Sequence, residues 1–173
     1  MLDKTWEGLG RLGSFPQVHT CLVVVMTRLN ATHVPAMMRR VIAELPHVRE
    51  VTFSPVAPVG DARQHLALLA PFAELREPLL DALAVAGAAG LRAHVPSRCG
   101  MPLCAMPEGT SRFNDESRNA PGQPADPGKT KPPLCARCEE EPRCTGVWIE
   151  QLVAHGETEL RPVRSRSGPP EAR

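Results

Sequence analysis

Apolar and polar positions in the first 95 residues alternate between a helical and an extended period. Trp6, Leu9 and Leu12 recur at helical spacing within Thr5–Leu12, and Gly13 stops the run. Val18–Arg28 is a continuous apolar stretch rich in β-branched residues, the pattern of a strand buried on both faces in a parallel sheet. Leu29–Thr32 is a turn with Thr32 as the helix cap, and Val34, Met37, Met38, Val41, Ile42 and Leu45 form a helical stripe that Pro46 ends. Arg49–Ser54 predicts a second strand running into Pro55-Val-Ala-Pro-Val-Gly60. Strand, helix and strand on short links make one βαβ unit, right-handed by strong preference.

The pattern continues with helical character over Asp61–Leu69 and again over Pro71–Ala89. There Pro78 fits the first turn of a second half that carries Leu79, Leu80, Leu83 and Ala86. Gly87 and Gly90 end it, and Leu91–Val95 is a short third strand. Ser111–Lys131, rich in Pro, Gly, Asn, Asp and Ser and without apolar period, reads as a disordered linker. Gly146–Ala154, with Trp148, Ile149, Leu152 and Val153, predicts one amphipathic helix, and Arg164–Arg173 reads as a disordered tail.

Composition narrows the function classes. A formal charge of +1 gives no electrostatic case for nucleic acid or an acidic membrane, and two Trp, four Phe and no Tyr leave no stacking platform for single strands. No signal-like apolar region opens the chain, and the longest dense apolar run, Cys21–Met26, is far shorter than the ~20 residues of a membrane span. The expectation is a cytoplasmic protein, where cysteines more often bind metal or catalyse than form disulfides. Gly8-Leu-Gly10-Arg-Leu-Gly13 matches G-x-G-x-x-G in letters only, because a helix contains it and a strand follows, the reverse of a dinucleotide loop.

The chemistry concentrates in the cysteines. Cys135, Cys138 and Cys144 stand at C-x2-C-x5-C spacing, and Cys99 and Cys104 lie beyond the third strand. Thiolates two residues apart around a turn reach one centre at about 2.3 Å. Cys104 with the trio is the economical four-thiolate set, Cys99 is its substitute, and Cys21 in the strand is read as a small buried apolar residue. Tetrahedral sulfur suits zinc or an iron–sulfur cluster, and ligand type leaves the two open. A thioredoxin-like reading of Cys135 and Cys138 leaves Cys144 unexplained and lacks the preceding buried strand. The histidines at 19, 33, 47, 65, 94 and 155 are scattered, none paired at ligand spacing.

Several stretches together resemble radical S-adenosylmethionine (radical SAM) proteins. Thr5-Trp-Glu-Gly-Leu-Gly-Arg-Leu12 before a strand, Val-Val-Val-Met-Thr-Arg-Leu-Asn30, and Ser-Pro-Val-Ala-Pro-Val-Gly60 are similar to the later strands of their barrel. Gly100-Met-Pro-Leu-Cys104, then Cys135-x2-Cys138-x5-Cys144-x-Gly146 and Glu159-Leu-Arg-Pro162, resemble the related SPASM and twitch extensions, which hold an auxiliary [4Fe-4S] cluster. The likeness covers most of residues 3–163. It implies an α/β fold: a partial (β/α) TIM-like barrel over 1–95 and a loop-rich, cysteine-rich extension over 96–163 with its linker at 111–131, before the tail 164–173. It further implies Cys104, Cys135, Cys138 and Cys144 as ligands of the auxiliary cluster. Arg28 and Asn30, at the C-terminal end of a barrel strand, would lie near the SAM nucleoside.

The family's C-x3-C-x2-C, which holds the SAM-cleaving cluster, does not occur, and no cysteine precedes Cys21. The chain then resembles a C-terminal fragment, split subunit or remnant. It is inactive alone in reductive SAM cleavage and engages S-adenosylmethionine only if an N-terminal half completes it. A half-barrel leaves strand edges and apolar helix faces uncovered, so a complementary N-terminal chain or self-association is expected. The alternative from another class is a non-catalytic protein with a structural zinc knuckle held by four cysteines.

Overall fold

The computed structural model describes residues 2–98 and 101–164. Cys99 and residues 165–173 of the expected tail lie outside the described residues.

Helix α1 (Leu2–Leu12) precedes a βαβαβ run: β1 (Thr20–Met26), α2 (Val34–Glu44), β2 (Val48–Pro55), α3 (Phe72–Ala88) and β3 (Arg92–His94). The strands form a parallel sheet in the order β1-β2-β3, with Leu22 opposite Val51, Val24 opposite Phe53, and Thr52 opposite His94. Two right-handed crossovers that step the same way across a sheet put both helices on one face. That face is the core. Val24, Met26, Val51 and Phe53 pack with Val34, Met38 and Val41 of α2 and with Leu75, Leu79 and Leu83 of α3. Outside α2, α1 docks through Trp6, whose indole N–H donates to Glu44 while the Arg40 guanidinium stacks 4.3 Å over its ring.

The opposite face carries Cys21, Val23 and Val25, then Glu50, Thr52 and Ser54, then Arg92 and His94. Val23 is 64% exposed and Val25 46%. The run Val18–Arg28 is therefore not buried on both faces, and Cys21 is an exposed thiol rather than a core residue. A continuous apolar run looks the same whether one or two helix layers cover it.

Helix ends also differ from the expected ones. Thr32 lies within a 3-10 turn, Ala31–His33, and caps nothing. The turn is held instead by Asn30, which accepts from the Thr27 N–H at 2.8 Å and donates to the Val25 carbonyl at 2.9 Å. Helical character over 61–69 resolves into two short 3-10 turns, Gly60–Gln64 and Leu66–Leu68. α3 is one 17-residue helix with Pro78 inside it, not two segments. Its buried residues Phe72, Leu75, Leu79, Ala82, Leu83 and Ala86 run through the proline. At ~1.5–3 kcal/mol per large buried side chain, that continuity offsets the ~3 kcal/mol of an interior proline. Leu80 turns outward.

The expected linker at 111–131 is built into the fold. Asn114, Glu116 and Lys129 are buried, and Val95 beside β3 bridges to Asn114. The Asn114 amide donates to the Met101 carbonyl at 2.9 Å, Asp115 accepts from the Ser97 N–H at 2.7 Å, and the Lys129 ammonium donates to the Ser97 carbonyl at 3.3 Å. Polar residues that satisfy one another can be buried without any apolar period, so composition alone reads them as solvated. β4 (Lys129–Thr130) pairs antiparallel with β5 (Val147–Trp148). Trp148 thus belongs to a strand, and α4 (Ile149–His155) begins after it. The apolar face expected there is not the packed one: Val153 is 80% exposed and Gln151 is buried, donating to the Ala70 carbonyl. Met101, Ala105, Met106, Val147 and Leu160 join the same core as the sheet, so the cysteine-rich half is packed onto the α/β half.

Candidate metal centre

Three segments carry the four candidate cysteines. Cys104 sits in the 3-10 turn Leu103–Ala105. Cys135 lies in the turn Pro133–Arg137, and Cys138 closes it by donating its N–H to the Cys135 carbonyl at 2.9 Å. Cys144 ends the following loop, its N–H bonded to the Glu140 carbonyl at 2.9 Å. Residues 161–163 tie the segments together. The Arg161 N–H donates to the Cys104 carbonyl at 3.0 Å, and the Glu139 N–H donates to the Val163 carbonyl at 3.0 Å.

Two backbone N–H groups point at sulfur: Val163 donates to Cys138 Sγ and Gly146 to Cys144 Sγ, each at 3.3 Å. Hydrogen bonds of this kind stabilise thiolates and orient them as ligands. Gly146 makes its bond at φ +88°, where an added Cβ would stand 2.8 Å from the Thr130 carbonyl oxygen. Only glycine fits there, which gives the Cys144-x-Gly146 pattern a physical reason.

The thiols also perturb one another. Burial pushes Cys104 up to about 12, helped by the charges of Glu116, Cys138 and Cys135. Burial raises Cys144 as well, followed by the charge of Glu116 and a hydrogen bond to it, with Cys104 contributing. Cys135 is raised by burial and then by Cys138 and Glu141, against the opposing charge of Lys131. Cys104 therefore couples to Cys135 and Cys138 on one side and to Cys144 and Glu116 on the other. Among the described residues no set of three or more His, Cys, Asp or Glu side chains is gathered tightly enough to hold an ion.

The candidate donors are sulfur, the kind that soft metals take. The four thiols come from three segments, Cys135 and Cys138 from one turn, and sulfur-directed N–H groups serve Cys138 and Cys144. The buried Glu140 Oε2 beside them has no hydrogen-bond partner.

Arg28 and Asn30 do share the C-terminal end of β1, but both have local partners. Arg28 pairs with Glu74 at 3.3 Å on the surface, and the Asn30 amide is committed to its own turn. A second polar group lies on the sheet face away from α2 and α3, where Glu50 meets His19 at 3.2 Å and His94 at 3.4 Å, and His94 lies 3.2 Å from the Thr52 hydroxyl.

Two buried or half-buried carboxylates have roles that residue spacing does not show. Glu116 hides in the polar stretch 111–131. Glu159 caps α3 from 87 residues away, accepting from the Phe72 and Ala73 N–H groups at 2.9 Å each. Only the Glu-Leu-Arg-Pro ending pointed near Glu159.

Compared with protein-family models, curated proteins and solved structures, the chain matches none. The fold is mixed α/β with a three-stranded parallel sheet, and no helix among the described residues is long and apolar enough to cross a membrane.

Proposed function

We propose that this chain is the C-terminal part of a radical SAM-type protein and binds an auxiliary [4Fe-4S] cluster through Cys104, Cys135, Cys138 and Cys144. The observation that supports the reading best is the pair of backbone N–H groups aimed at Cys138 and Cys144 sulfur, within the C-x2-C-x5-C spacing, with Arg161 tying the Cys104 backbone to the same C-terminal segment. A tetrahedral ion at ~2.3 Å from each sulfur needs sulfurs about 3.8 Å apart. A cuboidal cluster spreads its four thiolates farther apart than a single ion does. The cluster would supply electron transfer, substrate anchoring or structural support.

A partial (β/α) barrel is supported by three parallel strands in sequential order, with α2 and α3 on one face and the β1 part of the other face exposed through Val23 and Val25. These two residues, together with the edge of β1, are where a complementary chain or a second copy would add. S-adenosylmethionine would bind only in such a completed barrel, near Arg28 and Asn30 at the strand ends, and the reading implies a cytoplasmic protein.

The test is anaerobic reconstitution with iron and sulfide, read by absorption at about 400 nm. Wild type is expected to turn brown and each single Cys→Ser variant at 104, 135, 138 or 144 to lose most of the band. A colourless protein holding one zinc would establish the zinc knuckle instead. Light scattering that returns a monomer with no exposed apolar surface would remove the missing-half element.

A further inference from the structure

We infer that the edge of β1 is a self-association surface, where a second copy of this chain adds its own β1 antiparallel about a two-fold axis at Leu22. The sheet alone carries this, whatever the cysteines hold.

The two edges of the sheet are built differently. At one, β3 is only three residues long, includes Arg92 and His94, and continues into Val95, which bridges to Asn114. A short, charged and covered edge resists further strands. At the other, β1 runs for seven residues, Thr20–Met26. It carries neither charge nor proline to discourage an added strand.

Alternation along the strand decides which backbone groups face that edge. The Met26 carbonyl accepts from the Val56 N–H, just past β2, at 2.8 Å, so Leu22, Val24 and Met26 turn their backbone groups toward β2. Cys21, Val23 and Val25 turn theirs outward, and their side chains lie on the sheet face away from α2 and α3.

Asn30 closes the far end of the edge. Its side-chain amide donates to the Val25 carbonyl at 2.9 Å and accepts from the Thr27 N–H at 2.8 Å. A carbonyl and the N–H two residues on are the pair that an added strand takes, so this amide stands where the next residue of such a strand would lie. Among the described residues the groups left open are the N–H and carbonyl of Cys21 and of Val23, and the Val25 N–H.

That remainder is self-complementary. With the two-fold at Leu22, Cys21 of each copy faces Val23 of the other, and each pair exchanges both of its N–H···O bonds. A two-fold at Val23 would need the Val25 carbonyl that Asn30 holds, and would run Thr20 of the copy into the Asn30 side chain. Pairing at Leu22 covers Val23, 64% exposed in the single chain, and brings no like charges together because β1 has none. Each chain has one such edge, so association closes at a dimer.

The experiment uses the full chain under reductant, followed by sedimentation velocity over a dilution series from millimolar to micromolar. Wild type is expected to dimerise reversibly. Val23→Lys is expected to fold as wild type by circular dichroism and to weaken the dimer ~10–100-fold, through the apolar cover lost at both copies of the residue. Register is read by mild oxidation in a Cys21→Ser background. Directly opposite residues at a two-fold come within disulfide reach, so Leu22→Cys is expected to link to itself, as mapped by peptide analysis. Val23→Cys, which faces residue 21 of the copy, is not. A monomer at every concentration overturns the inference; if that monomer still binds an apolar dye, a complementary chain remains the occupant of the edge. A dimer indifferent to Val23→Lys, or a Val23→Cys that links as readily as Leu22→Cys, overturns it as well.

Discussion

Removing the Glu159 carboxylate tests how the C-terminal segment is locked to the α/β half. α3 begins after Pro71 with no local side-chain cap, so its first N–H groups need partners from elsewhere. Glu159 provides two of them, at 2.9 Å each, and places a negative charge at the positive end of the helix. The Arg76 guanidinium of the same helix donates back to the Glu159 and Ala105 carbonyls, closing the contact from the other side. A side-chain cap contributes ~1–2 kcal/mol, and the half-buried setting holds the dipole contribution within that range rather than adding to it. For a chain of this length each kcal/mol moves the midpoint by ~2–4 °C, so Glu159→Ala is expected to lower Tm by about 2–8 °C. Glu159→Gln, which keeps one acceptor and loses the charge, is expected to lose about half as much. Thermal melts of the metal-free protein by circular dichroism measure both. Glu108→Ala serves as control, because its pair with Arg161 is on the surface and such pairs contribute ~0–1 kcal/mol. If Glu159→Ala melts no lower than that control, the capping argument is refuted. The same substitution loosens residues 161–163, which hold the Cys104 and Cys138 segments, so weaker metal uptake is expected to accompany the lower Tm.

Two further predictions concern the thiols and their turn. Because burial and neighbouring negative charge raise Cys104 and Cys144, both are protonated at neutral pH in the metal-free chain, and iodoacetamide followed by peptide mapping should find them alkylated later than exposed Cys21. Their folded-state values lie above the unfolded one, so their contribution to stability is complete below pH 9.0 and is lost as pH rises toward about 12; a metal-free midpoint that stays flat over that window would contradict the burial assignment. Gly146→Ala puts a Cβ 2.8 Å from the Thr130 carbonyl at a φ of +88°, and should cost ~1–3 kcal/mol in urea unfolding and lower metal affinity through the displaced N–H···S bond. An unchanged midpoint would show that the turn relaxes freely.

Much of the α/β half was legible in the residues. The stripe from Val34 to Leu45, the strand after Pro46 and the short strand after Gly90 follow from apolar period and from proline and glycine stops, which are local properties. The turn that carries Cys135 and Cys138 also follows from local sequence, around Pro132 and Pro133. What failed depended on distant partners. The number of helix layers over β1 decided that Val23 and Cys21 are exposed, and the packed face of α3 carried the helix through Pro78.

The stretch 111–131 shows the division most sharply. By itself the sequence determined that it has no apolar face and that cysteines stand on both sides of it. Only the tertiary structure decided that Asn114, Glu116 and Lys129 are buried there, each satisfied by a carbonyl, N–H or hydroxyl from elsewhere in the fold. Hydrogen-bond partners recruited over long sequence separations have no period. A buried polar network is therefore specified by the sequence yet visible only once the chain is folded.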